Sequence, residues 1–72
     1  MYFYKSVVGP MTIRYYDGYY YLTISGETCQ RYKSAHALAA DVAQFNTGYY
    51  PWDKLMYSCP YPLDLSEWDH HK

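Results

Sequence analysis

No apolar stretch in this 72-residue chain approaches the roughly 20 residues that a membrane-spanning helix needs. The first residues have neither the basic start nor the apolar core of a secretion signal, so a cytoplasmic chain is expected. An excess of one charge is missing too. Six Lys and Arg stand against seven Asp and Glu, which removes both the strongly basic nucleic-acid binder and the strongly acidic nucleic-acid mimic. Cysteine is scarce: Cys29 and Cys59 lie far apart with no C-x-x-C spacing, and a cytoplasmic chain keeps such thiols reduced.

Catalytic signatures are missing as well. There is no G-x-S-x-G, no H-E-x-x-H, no cysteine with a supporting histidine motif and neither of the glycine patterns that cradle phosphates. Gly9, Gly18, Gly26 and Gly48 each fall where a turn or a helix end needs them. The possible metal ligands, Cys29, His36, Cys59, His70 and His71, are scattered rather than closely spaced. The expectation is a non-enzyme without metal or cofactor. Length allows one domain, residues 1–72, and a chain this short buries only about 60% of its unfolded surface.

What the chain has in quantity is tyrosine, twelve in all. The strongest local signal is residues 11–24, two runs rich in β-branched and aromatic residues around Asp17-Gly18. This pattern predicts a hairpin with a two-residue type I′ turn. The pairs are then Tyr16 with Tyr19, Tyr15 with Tyr20, Ile13 with Leu22 and Met11 with Ile24. One face collects Met11, Ile13, Tyr15, Tyr20, Leu22 and Ile24 as core. The other collects Thr12, Arg14, Tyr16, Tyr19, Tyr21 and Thr23 toward solvent.

Residues 2–8 read as a strand before a Gly9-Pro10 turn, and residues 11–16, 19–25 and 28–32 complete the set. Whether Cys29 or Tyr32 points inward depends on a single residue of loop length. Ser34 has the chemistry of a helix N-cap for a helix over 35–46, with Ala35, Leu38, Ala39, Val42 and Phe45 along its apolar stripe. His36, Asp41 and Gln44 then face water. Residues 49–69 contain three prolines and no long periodicity, but too many apolar residues for a disordered tail, so they should wrap the core. Asp64 and Glu67 have capping-box spacing, and residues 70–72 read as a frayed end. The fold class is α+β: a three- to four-stranded antiparallel meander, one helix on one face, and an irregular aromatic C-terminal segment.

Two surfaces stand out as binding candidates. The first is Arg14, Tyr16, Tyr19 and Tyr21 on the outer face, where tyrosines have three readings. They stabilise the sheet by cross-strand pairing. They form a protein-binding patch, since Tyr and Arg are enriched at interfaces. Or they stack the bases of a single-stranded nucleic acid, with Lys5, Arg14 and Arg31 on phosphates. The second surface is an acidic and aromatic patch of Trp52, Asp53, Asp64, Glu67 and Trp68, suited to a basic partner.

The runs 47–53 (TGYYPWD) and 64–68 (DLSEW) are similar to runs in small proteins of bacteria and their mobile elements, a similarity that implies no mechanism. The functional expectation is a non-enzymatic protein-binding module of inhibitor or adaptor type, encoded by a phage or mobile element. Its expected target is a host machine such as a CRISPR effector. Single-stranded nucleic-acid binding is the alternative, and self-association through the edge of the first strand is a further one.

Overall fold

The computed structural model describes residues 1–71. Strands β1 (Tyr2–Ser6), β2 (Gly9–Tyr16), β3 (Tyr19–Ile24) and β4 (Glu27–Tyr32) form an antiparallel meander. The helices α1 (Ala35–Ala43) and α2 (Tyr50–Asp53), a 3-10 turn (Leu65–Glu67) and a short strand β5 (Asp69–His70) follow. The sheet has five strands in the order β4-β3-β2-β1-β5, one more than the expected three or four. The extra strand replaces the expected frayed end: His70 pairs with Tyr2 and Asp69 with Phe3. The His71 N–H donates to the Met1 carbonyl at 2.6 Å. Lys72, the last residue of that expected frayed end, lies outside the described residues.

The central hairpin has the register that its turn dictates. Met11 pairs with Ile24, Ile13 with Leu22, Tyr15 with Tyr20 and Tyr16 with Tyr19. Asp17 (φ 52°) and Gly18 (φ 85°) are both left-handed, as a type I′ turn requires, and Ser25 (φ 51°) and Gly26 (φ 88°) repeat the device between β3 and β4. The turn before β2 differs from expectation. Val7 and Val8 make it, and Gly9 and Pro10 belong to the strand. Ser6 Oγ accepts from Val8 N–H and donates to the Gly9 carbonyl, which closes the turn two residues earlier. Pro10 is tolerated because it lies near the start of the strand, where a missing N–H costs little. A Cβ on Gly9 would stand 2.7 Å from Ser25 Oγ at a φ of +115°, so only glycine fits there.

One side of the sheet is core. Met11, Ile13, Leu22 and Ile24 are at most 1% exposed beneath Leu38, Ala39 and Val42 of α1. Tyr15, expected in the core, is 65% exposed. It sits at the hairpin end, with its ring 4.9 Å from that of Tyr20. A register shift between Leu22 and Thr23 marks a bulge opposite β4, which leaves both Cys29 and Tyr32 half-buried against the core. The choice between them therefore does not arise.

Ser34 caps α1 as expected, its Oγ accepting from the N–H groups of His36 (3.1 Å) and Ala37 (3.3 Å). The helix ends at Ala43 rather than at 46. Phe45 turns left-handed (φ 54°) so that its ring can stack on Trp52, 4.5 Å between centroids. Asp41 is half-buried rather than solvent-facing, because Tyr32 Oη donates to its Oδ2 at 2.9 Å and ties α1 to β4. The C-terminal segment wraps this same side. Trp52 is fully buried and donates through Nε1 to the Val42 carbonyl, and Tyr57 and Tyr61 pack edge-on against Phe45. No helix among the described residues is long and apolar enough to cross a membrane.

Two outcomes follow from this packing. Leu38→Ala should cost about 2–5 kcal/mol in chemical denaturation, the usual range for emptying a buried leucine site. Burial first, and then its hydrogen bond to Asp41, raises the Tyr32 pKa above its ordinary 10.0. That stabilisation is whole below pH 10 and is lost as pH rises above it, since the unfolded phenol ionises first. Tyr32→Phe should therefore flatten this part of the alkaline decline in melting temperature.

Candidate functional site

The outer face of the sheet follows from the pairing register. Arg14 lies opposite Tyr21, and Tyr21 opposite Arg31, so one row across β2, β3 and β4 reads Arg-Tyr-Arg. The next row reads Asp69, Phe3, Thr12, Thr23 and Thr28. The third is the pair Tyr16 and Tyr19 beside the hairpin turn. Side chains on a strand alternate between faces, so all of these project away from α1. The C-terminal segment packs its buried residues into the helix-side core, which leaves the tyrosine rows without a covering element.

Within this face the side chains are not equivalent. Tyr16 is 71% exposed, whereas Tyr19 and Tyr21 are half-buried by their neighbours. The Arg31 guanidinium lies 4.4 Å from the Tyr19 ring centroid, a cation–π contact that holds both groups in place. A shallow depression of about 630 Å³ runs between Arg14, Tyr15, Tyr16, Tyr21, Thr23 and Thr28. The structure thus brings Arg14, Tyr16, Tyr19 and Tyr21 together on one surface. It adds Arg31, which in the sequence supports only the nucleic-acid alternative. Counting the alternation of β4 backward from Tyr32 finds it; the bulge at Cys29 hides that alternation from the other end.

The acidic and aromatic residues do not assemble into a comparable surface. Trp52 is 0% and Trp68 5% exposed, so neither offers a ring to a partner. The Asp53 carboxylate is occupied by a loop, accepting from Thr47 N–H (2.9 and 3.1 Å), Thr47 Oγ1 (2.8 Å) and Gly48 N–H (2.8 Å). Asp64 caps the 3-10 turn by accepting from Ser66 N–H and Oγ. These bonds to Ser66 hold its carboxyl below the ordinary value. Glu67 accepts from Leu63 N–H at 2.7 Å, one residue short of a true capping box. Each of these three carboxylates is thus bonded to nearby backbone N–H groups.

A second depression, about 390 Å³, opens on the helix side between Tyr2, His36, Leu65, Ser66, Trp68 and His70. Its two imidazoles lack a third ligand, and no cluster of three His, Cys, Asp or Glu able to hold a metal ion occurs among the described residues. Cys29 and Cys59 are free thiols, each with its pKa raised chiefly by burial, which makes thiolate chemistry at neutral pH unfavourable. Neither family models, nor curated proteins, nor solved structures give a match to this chain.

The contrast between the two surfaces is measurable as stability. Asp53→Ala orphans three donor groups around Thr47 and Gly48 and should cost about 2 kcal/mol or more. Tyr16→Ser, at an exposed site, should stay within about 0.5 kcal/mol. Tyr19→Ala and Tyr21→Ala should each cost about 0.2–1 kcal/mol, the size of one cross-strand pair, and so less than Asp53→Ala.

Proposed function

We propose that the protein is a non-enzymatic binding module of inhibitor or adaptor type, which docks a protein partner on the open face of its sheet. The observation that carries this reading is the uncovered Arg14-Tyr21-Arg31 row with Tyr16 and Tyr19 beside it. Tyrosine offers a large contact area with few rotatable bonds and a polar tip that tolerates water before binding. Arginine beside it adds directional hydrogen bonds, and both types are enriched at interfaces. A second support is rigidity. The strands are joined by two left-handed turns, and Arg31 is already stacked on Tyr19, so these two side chains have less freedom to lose on association. Free thiols fit a reducing, cytoplasmic setting.

The edge of β1 is a poorer candidate for self-association, because β5 already pairs with Tyr2 and Phe3. Docking on the tyrosine face is tested by affinity capture from the native host with nuclease present throughout. Wild-type protein and the Tyr19→Ala/Tyr21→Ala variant are compared, with circular dichroism to establish that the variant is folded. A protein retained by wild type and lost by the folded variant is the expected result. A partner retained equally by both would move the interface elsewhere, and capture abolished by nuclease would assign the face to nucleic acid.

A further inference from the structure

We infer that the partner meets this face with carboxylates, seated on Arg14 and Arg31 to either side of Tyr21; the inference rests on the protein-docking reading above. The two arginines occupy the outer strands of a three-strand row, two strand spacings apart, or roughly 10 Å. Their cross-strand neighbour is the same tyrosine, not an acid. Around them the outer face carries Thr12, Thr23 and Thr28, and the carboxylate in those rows, Asp69, stands at the far edge of the sheet beside Phe3, away from β3 and β4. Lys5, paired with Pro10, adds a third cation to the same face. Four of the seven acids lie away from this face, bonded to loops, caps and a tyrosine: Asp53 to residues 47–48, Asp64 to the 3-10 turn, Glu67 to Leu63 and Asp41 to Tyr32. A chain whose charges nearly cancel therefore presents one locally positive face, and complementarity calls for a negative partner.

Carboxylate fits that face better than a phosphate backbone. A stacking platform needs free aromatic faces, but one face of Tyr19 is taken by the Arg31 guanidinium, and Tyr21 is half-buried between two arginines. Three cations are also a thin footprint for a polyphosphate strand. Arg31, by contrast, is poised for a carboxylate. Lying over the Tyr19 ring, a guanidinium keeps its N–H edge available, and that edge matches the two oxygens of an Asp or Glu side chain.

The test uses short poly-L-glutamate as the acidic probe, poly-L-lysine as its charge opposite and an oligothymidylate as the polyanion of the other class. Binding is followed by amide chemical shifts in the folded, full-length protein. Poly-L-glutamate should move the signals of Arg14, Tyr21 and Arg31 and leave α1 unmoved. Its affinity should fall about tenfold in each of Arg14→Gln and Arg31→Gln, the size of one lost charge-assisted hydrogen bond. Lys54→Gln, on the helix side, should leave it unchanged. Absence of binding, or loss only with Lys54→Gln, overturns the inference. So does tighter binding of oligothymidylate through the same residues. The two readings fail separately. If a captured protein depends on Tyr19 and Tyr21 but keeps its affinity in Arg14→Gln/Arg31→Gln, docking stands and the acidic partner does not.

Discussion

Two residues in the left-handed conformation, Asp17 and Gly18, set the register on which the rest of the molecule depends. Side chains alternate with a period of two, so a slip of one residue at this turn would send every aliphatic group of the hairpin to the other face. With the turn as it is, Met11, Ile13, Leu22 and Ile24 all fall on one side and become the floor of the core. Their alternates, Thr12, Arg14, Tyr16, Tyr19, Tyr21 and Thr23, fall together on the other. The chemistry of the open face is thus the complement of the core pattern. Neither face can be altered in register without destroying the other.

Everything after the sheet serves the core side. Helix α1 covers it, Tyr32 fixes α1 to β4 through Asp41, and Trp52 hangs the next segment from the Val42 carbonyl. Phe45, Tyr57 and Tyr61 close the gap beyond the end of the helix, with ring centroids 4.9 to 5.5 Å apart. Finally β5 returns to the edge of β1, where His70 stacks on Tyr2 at 4.3 Å. A small domain with a short helix gains most of its burial in this way, by bringing the segment between β4 and β5 to one side. The consequence is a sheet covered on one face only, with tyrosine used both as core filler beneath it and as the surface above.

Much of this is legible in the sequence because local rules act on adjacent residues. The Asp17-Gly18 turn, the six pairs of its hairpin, the Ser34 cap and the Leu38 stripe each follow from spacing alone. What escapes depends on residues distant in sequence. The pairing of Asp69 and His70 with β1 joins the two ends of the chain, and two residues carry no strand pattern of their own. Tyr15 has the right alternation for the core but lies at the open hairpin end, so periodicity misplaces it. Trp52 and Trp68 resemble surface aromatics among charges, until the groups that receive them, the Val42 carbonyl of α1 and the Tyr4 ring of β1, are known. On the candidate face, Arg14, Tyr16, Tyr19 and Tyr21 follow from the hairpin, while Arg31 enters through the bulged partner strand.

The result is a one-sided sheet that displays arginine and tyrosine in paired rows, with Asp53, Asp64 and Glu67 bonded to nearby loops and turns. Docking on the open face is made by side chains rather than backbone, so oxidative footprinting of the tyrosines, free and in complex with the captured partner, reads it most directly. Docking there requires that Tyr16, Tyr19 and Tyr21 lose reactivity on binding, while Tyr50 and Tyr57, exposed on the helix side, keep theirs. Protection of Tyr50 and Tyr57, with the three outer-face tyrosines still reactive, would contradict it.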